Sequence, residues 1–428
     1  MALPDLVEIV PLDKPVQAEI TVPGSKSITN RALILAALSE GETTLHGALW
    51  SEDTQVMTEC LQELGFMVNV ENDPHEPCNR TITVYGKGGQ VPRGGTATQP
   101  LELFVGNAGT AARFLTALVC LGDGVYRLTG VPRMHERPQA ALFQALRELG
   151  YRIESANGKL PALVHGRGPH AARSQVSIAE SSQFASALLL CSDAGRWQVE
   201  VSEENAEESP YVAMTRNLIA GFPRSGGRFQ IEPDASSASY FLAAGSLLSL
   251  SEPALASVVN VHAGPVTDWQ VDSKFRRFLP LPASISRLTD LGDSIMTAVI
   301  LAPFSQRTVQ FTDLGRLRAQ ECERVAALRT ELTRCGGTVI EEGDTLTVHP
   351  SRLHGAEIET YHDHRMAMCF AILGLKVAGI KLKNSVCVKK TFPNFLQKLA
   401  APPPGGLGAK LLEAKGGRIL SEAELFAE

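Results

Sequence analysis

The 428-residue chain has no apolar run that approaches the roughly 20 residues needed to cross a bilayer. A long one such as Ile295 to Phe304 is about half that length and is broken by Thr297. No transmembrane helix is expected. Basic residues are not in surplus either: 40 Lys and Arg stand against 46 Asp and Glu, a net charge of −6. A chain of that sign is not built to coat nucleic acid or an anionic membrane. The opening MALPDLVEIVPL carries acids in place of a basic stretch and has no long apolar segment behind it, so no secretory signal is expected. C-x-x-C pairs and Cys/His pairs at zinc-ligand spacing are missing too. The eight cysteines are scattered, several of them inside apolar helical patterns, and imply reduced thiols in a cytoplasmic compartment. G-x-x-x-x-G-K-[ST] occurs nowhere, which excludes a Walker A phosphate loop.

At roughly 150 residues per domain the length suits two or three domains, and 44% hydrophobic content is enough to build their cores. A unit recurs along the chain, in which a polar or glycine-rich elbow is followed by an Ala/Leu-rich helix that runs to a Gly or Ser. Six such units begin near Ser27, Thr110, Gln183, Ala235, Asp293 and Asp363. Most are followed by an amphipathic helix with apolar residues at 3.6 spacing, as in RPQAALFQALRELG and CERVAALRTELTRCGG, and in weaker form WQVDSKFRRFL. Hairpin signals such as TVIEEGDTLTVHP follow the first, second and fifth units. After Gly221 and Leu279, in the third and fourth, GFPRSGGRFQIEP and PLPASISRL stand where a hairpin is expected. The pattern predicts an α/β protein of two lobes, each of three repeated units, with hairpins missing from units three and four. Residues 23–232 form the N-terminal lobe, and 1–22 with 233–398 form the C-terminal lobe. Residues 399–428, with APPPGG from Ala401, read as a linker and tail. A cleft between the lobes is the expected ligand site.

The elbows carry the chemistry. VPGSKSITNRA puts Lys26, Ser27 and Arg31 at a helix start, where free N–H groups, the helix dipole and two cations make either an anion site or a capped helix with solvated charges. LFVGNAGTAARFL sets Gly106 and Gly109 around Asn107, with Thr110 and Arg113 behind, so that backbone can approach a ligand closely. In AESSQFASA, Ser181, Ser182 and Gln183 either cap a helix or bind a polyol or its phosphate. Asp293 lies at a helix start. Glu321 and Arg324, three apart, are expected on one helical face. His362, Asp363, His364 and Arg365 crowd another helix start, without a third ligand spaced to make a zinc site. Seven cations, Lys26, Arg31, Arg113, Arg137, Arg324, Arg365 and Lys390, sit at elbows, where charges meant only for solubility would not gather.

PGSKSITNRAL, GNAGTAAR, PRMHERP, ESSQF, PDASSASYF, GDSIMT, YHDHRMAMCF and KKTFPNF occur in one order over residues 15–398. Together they resemble the 5-enolpyruvylshikimate-3-phosphate synthase family. The resemblance implies the enolpyruvyl transferase inverse α/β barrel fold and transfer of the carboxyvinyl group of phosphoenolpyruvate to shikimate 3-phosphate. That step belongs to chorismate and aromatic amino acid biosynthesis and needs no metal or organic cofactor. It further implies that Lys26, Ser27, Arg31, Ser181, Ser182, Gln183, Tyr211, Asp293, Arg316 and Gln320 hold shikimate 3-phosphate. Lys26, Asn107, Gly109, Arg137, Gln183, Arg324, Arg365 and Lys390 would hold phosphoenolpyruvate, supported by Thr110, Arg113 and His364. Asp293 is the implied base for the hydroxyl and Glu321 the acid for the carbon, with Lys26 as the competing proton donor. The Gly109-Thr110 pair implies sensitivity to glyphosate. A monomer, or part of a larger polypeptide, with no nucleic-acid or membrane partner is expected.

The chain departs from the family pattern in places. Glu208 precedes Ser209-Pro210-Tyr211 where the pattern has serine, Gln320 stands where lysine is common, Arg316 where a neutral amide is, and Phe114 where proline is. Two other functions fit parts of the sequence. One is a binding or scaffold module that lost turnover with its hairpins. The other is the related transferase acting on UDP-N-acetylglucosamine, disfavoured by SKSITNR and by the absence of cysteine between Gly122 and Arg137.

Overall fold

The computed structural model describes residues 3–202, 209–249, 257–262 and 264–427. The chain divides into two compact units, 24–232 and 1–23 with 233–428. Glu208 lies outside the described residues.

In the unit formed by 24–232, the elbow helices Lys26–Leu38, Gly109–Cys120 and Ser182–Gly195 pack against one another. A helix apolar on every side must be covered on every side, and all twelve residues of Gly109–Cys120 are buried. Around these helices lie three sheets. One runs in the order Gly227–Gln230, Glu40–Leu49, Asn79–Lys87, Met67–Asn72, and the next Leu101–Phe104, Asp123–Thr129, Ala162–Arg167, Arg152–Glu154. The third holds, among the described residues, Ala172–Ser177 beside Trp197–Ser202. Each four-stranded sheet is a parallel pair extended by an antiparallel hairpin, whereas the two-stranded sheet is a parallel pair alone. The segment after Gly221 supplies a strand to the first sheet, with Gly227 beside Thr43.

The other unit repeats the plan. Ala235–Ser249, Ile295–Leu301 and His364–Gly374 pack together, and all seven residues of Ile295–Leu301 are buried. Gln17–Ile20 pairs in parallel with Val258–Val261, with no further strand in that sheet among the described residues. A four-stranded sheet runs Ser284–Ser286, Val309–Thr312, Thr345–His349, Thr338–Glu342. The expected WQVDSKFRRFL helix is instead the 3-10 run Val271–Phe278.

The last sheet corrects the reading of 399–428 as a linker and tail. Its order is Glu357–Ile358, Ile380–Lys383, Leu6–Ile9, Leu411–Glu413, Arg418–Ile419. The N-terminal strand Leu6–Ile9 lies antiparallel between Ile380–Lys383 and Leu411–Glu413. Leu407, Leu411, Leu420, Leu425 and Ala427 belong to this unit's core. The residues after the proline-rich stretch therefore provide the antiparallel hairpin of this sheet. No helix among the described residues is long and apolar enough to cross a membrane.

Candidate active site

The expected residues fall in two clusters, one in each unit. In 24–232, Lys26 is the first residue of its helix and its Nζ pairs with the buried carboxylate of Asp53 at 3.1 Å. Arg31, one turn on, is buried. Its Nε donates to Thr215 Oγ1 at 2.8 Å, Nη1 to the Ser27 carbonyl at 2.9 Å and Nη2 to Ser186 Oγ at 3.0 Å. Its guanidinium lies 5.3 Å from the centre of the Phe114 ring. Burial lowers its pKa to about 10, the direction expected for a desolvated cation held by neutral hydroxyls. Such a charge favours an anion nearby.

Gly109 opens the second elbow helix, and its α-carbon faces two guanidiniums. Arg113 donates to the Gly109 carbonyl at 3.2 Å and the Pro138 carbonyl at 2.8 Å, and Arg137 donates to the Asn107 carbonyl at 3.2 Å. Thr110 Oγ1 accepts from Asn30 at 2.7 Å, which ties this elbow to the first helix. Ser181 caps the third helix by accepting from the Gln183 amide at 3.3 Å, and Ser182 is buried. Gln183 Oε1 is buried with no hydrogen-bond partner among the described residues, an arrangement that calls for a ligand donor. Tyr211 lies near Arg31 in charge terms, and its carbonyl accepts from Thr215 at 2.9 Å.

In the other unit the charges are denser. Asp293 sits two residues before the Ile295–Leu301 helix. Its Oδ1 accepts from Arg287 Nη2 at 3.1 Å and from Gln320 Nε2 at 3.4 Å. Its Oδ2 faces Arg365 Nε at 3.2 Å and Arg324 Nη1 at 3.7 Å. Burial raises the pKa of this carboxyl, but Arg365, Arg324 and Arg287 outweigh burial and hold it well below the usual range. The loop is fastened by Asp272, whose buried carboxylate accepts from the amide of Gly292 at 2.8 Å and that of Ser294 at 3.2 Å.

Glu321 pairs with Arg324 at 2.8 Å, but not as neighbours on one helical face. The helix is Arg324–Arg334, capped by Glu323, so Glu321 lies in the turn before it. Arg324 is 1% exposed and also meets Asp363 at 2.7 Å. Burial lowers its pKa, yet Asp363, Glu321 and Asp293 more than offset this and raise it. Asp363 caps the His364–Gly374 helix by accepting from the Arg365 amide at 2.8 Å. His364 is buried, 3.8 Å from Asp363, and Arg365 Nη1 donates to Tyr240 at 3.4 Å. Arg316 lies in the 3-10 run Leu314–Ala319, and the buried Lys390 ends another, Ser385–Lys390. Among the described residues no group of three or more His, Cys, Asp and Glu is arranged to hold a metal ion.

A family model described as EPSP synthase (3-phosphoshikimate 1-carboxyvinyltransferase) matches residues 11–399. The chain belongs to the EPSP synthase family. It is 36% identical to the 3-phosphoshikimate 1-carboxyvinyltransferase of Trichormus variabilis, over 92% of this chain and 98% of that one. It is 37% identical to that of Opitutus terrae, over 94% and 98%. The fold is similar to that of a solved EPSP synthase from Acinetobacter baumannii, with a TM-score of 0.72, 21% identity and coverage of 95% and 100%. It is also similar to the enolpyruvyl transferase NikO from Streptomyces tendae, with a TM-score of 0.65, 14% identity and coverage of 96% and 99%.

For a member of this family, sequence reasoning missed four partners of its candidate site. Asp53 reads as an ordinary acid in a helix's first turn, and Asp272 belongs to a segment read as a weak amphipathic helix. Thr215 lies inside a helix and was not singled out. Arg287 belongs to PLPASISRL, a segment noticed only for the hairpin it replaces.

Proposed function

We propose that the protein transfers the carboxyvinyl group of phosphoenolpyruvate to the 5-hydroxyl of shikimate 3-phosphate, giving 5-enolpyruvylshikimate 3-phosphate and phosphate. Both substrates are small polyanions. Planar, permanently charged guanidiniums suit a ligand that carries a carboxylate and a phosphate. In this reading Arg137, Arg324, Arg365 and Lys390 hold phosphoenolpyruvate beside Asn107 and Gly109. Ser27, Arg31, Ser181, Ser182, Tyr211, Arg316 and Gln320 hold the shikimate ester, and Lys26 and Gln183 touch both.

The chemistry runs by proton transfer and addition. A proton from Glu321 goes to the methylene carbon of phosphoenolpyruvate, and the hydroxyl oxygen adds to the adjacent cationic carbon while Asp293 takes the hydroxyl proton. The bond from that carbon to the phosphate oxygen then breaks, the phosphate departs with the proton that Asp293 took, and the methyl group returns a proton to Glu321. Lys26, paired with Asp53, is the competing donor for the first step.

The observation that carries the reading is Asp293 with Glu321 beside it, surrounded by Arg287, Arg324 and Arg365. A carboxylate so placed stays ionised, and ligand anions that draw charge from Arg324 and Arg365 make it more basic when both substrates are bound. We extend the reading to a monomeric protein of a reducing, cytoplasmic compartment, which the eight free thiols favour.

Phosphate release from the two substrates tests this directly. The purified protein releases phosphate with shikimate 3-phosphate and not with UDP-N-acetylglucosamine, and Asp293→Ala lowers kcat by about a hundredfold or more with the fold intact. Saturable binding of shikimate 3-phosphate without any phosphate release would overturn it in favour of a binding module.

A further inference from the structure

Arg287 lies outside every motif of the sequence. It follows the strand Ser284–Ser286, and its backbone amide donates to the Thr312 carbonyl at 3.1 Å, which fixes its α-carbon at the end of the sheet. Its side chain is 2% exposed and ends on Asp293 Oδ1. Burial lowers its pKa, Asp293 raises it in part, and Arg324 and Arg316 lower it further. A guanidinium among other guanidiniums is costly to bury unless a carboxylate repays it.

The two oxygens of Asp293 have different company. Oδ2 faces Arg365 and Arg324, the cations assigned to phosphoenolpyruvate. Oδ1 faces Arg287 and the neutral amide of Gln320. Ligand anions therefore compete for the cations on Oδ2 and leave the Oδ1 contact in place. Gln320 is also the position where the family pattern has a lysine. The chain lacks a cation there and has one at 287, on the same oxygen.

We propose that Arg287 is the positioning residue of the hydroxyl base, holding Asp293 through Oδ1 in the role of a cation at position 320 and turning Oδ2 toward the proton it accepts. This rests on the reading of Asp293 as that base. The groups facing Asp293 are Arg287 from the sheet end, Gln320 and Glu321 from the turn, Arg324 and Arg365 from two helices, and Asp272 from the 3-10 run. Asp293 works ionised, and each cation beside it lowers its pKa. Removing Arg287 therefore raises that pKa and moves the acid limb of the kcat profile to higher pH.

The experiment compares Arg287→Gln, Arg287→Lys, Arg287→Gln with Gln320→Lys, and Asp293→Ala, each checked for cooperative unfolding. Arg287→Gln lowers kcat about tenfold or more, shifts KM for phosphoenolpyruvate by less than about threefold, and raises the acid limb by about one pH unit. Adding Gln320→Lys returns the limb and most of kcat, and Arg287→Lys retains part of both. A loss of kcat with an unmoved acid limb and no response to Gln320→Lys overturns the proposal and leaves Arg287 a packing residue. If Arg287→Gln does not fold, Gln320→Lys is added to Arg287→Lys, where an acid limb that fails to move down overturns it equally. Near-normal turnover in Asp293→Ala removes the base assignment itself. An inactive Asp293→Ala beside an Arg287→Gln like the parent overturns only the role of Arg287.

Discussion

Gly109 has its α-carbon against two guanidiniums because nothing larger than hydrogen fits there. A Cβ would stand 2.7 Å from Arg113 Nη1 and 2.8 Å from Arg137 Nη2. Arg113 is buried and held by two carbonyls, so Arg137, half-buried, is the side chain that yields. Gly109→Ala is expected to raise KM for phosphoenolpyruvate about tenfold, to weaken inhibition by glyphosate and to leave kcat within about fivefold, in steady-state assays with circular dichroism as the control for folding. At this scale the sequence was legible where a charge stands at a helix start, as with Lys26, Arg31 and Arg365. It was not legible where a residue acts only through a partner that no local pattern marks. Arg287 and Asp293 are close enough in sequence to pair, yet nothing in SRLTDLGD distinguishes the pairing Arg287 makes from that of any arginine near an aspartate. Glu321 was found for the right pairing with Arg324, but the helix starts later than spacing implied.

Elements were read best where alternation is long. TVIEEGDTLTVHP is the hairpin of Thr338–Glu342 and Thr345–His349. They were read worst where strands are short. Leu411–Glu413 and Arg418–Ile419 are three and two residues long, too brief to show a period, and the proline-rich run before them has the composition of a linker. Sequence composition there conceals a structural duty. A chain ending at residue 406 leaves Leu6–Ile9 with one unpaired edge and removes Leu411, Leu420 and Leu425, each buried, from the core. Such a chain is expected to lose about 3 kcal/mol or more of stability and to bind a hydrophobic dye, as checked by urea unfolding. Unfolding at the same midpoint would show that the terminal hairpin adds nothing.

At the scale of the whole molecule, the alternation of elbows and helices conveyed an α/β architecture with helices covered on all sides, because apolar helices and half-exposed strands differ in period. Pairing of Leu6–Ile9 with Ile380–Lys383 and Leu411–Glu413 was beyond it, since no local pattern records which distant strand a β-edge will meet. The two units differ in how they use the chain. Residues 24–232 are continuous, and among the described residues their three elbow helices pack together beside three sheets. The other unit is discontinuous, and two of its sheets contain strands from the first 23 residues. Expressed alone, 24–232 is expected to unfold cooperatively, whereas 233–428 without 1–23 is expected to lack a defined transition and regain it when the N-terminal segment is restored. Calorimetry of the three chains checks this, and neither unit alone is expected to release phosphate.

The placement of Leu6–Ile9 also sets an order of events during synthesis. Leu6–Ile9 leaves the ribosome long before its partners Ile380–Lys383 and Leu411–Glu413. All of 24–232 can emerge and settle while that strand still waits. Until those partners emerge, its backbone donors and acceptors face whatever the nascent chain meets, and the acidic and proline-bearing residues around it, in PDLVEIVPLDKP, are of the kind that discourages pairing at an open edge.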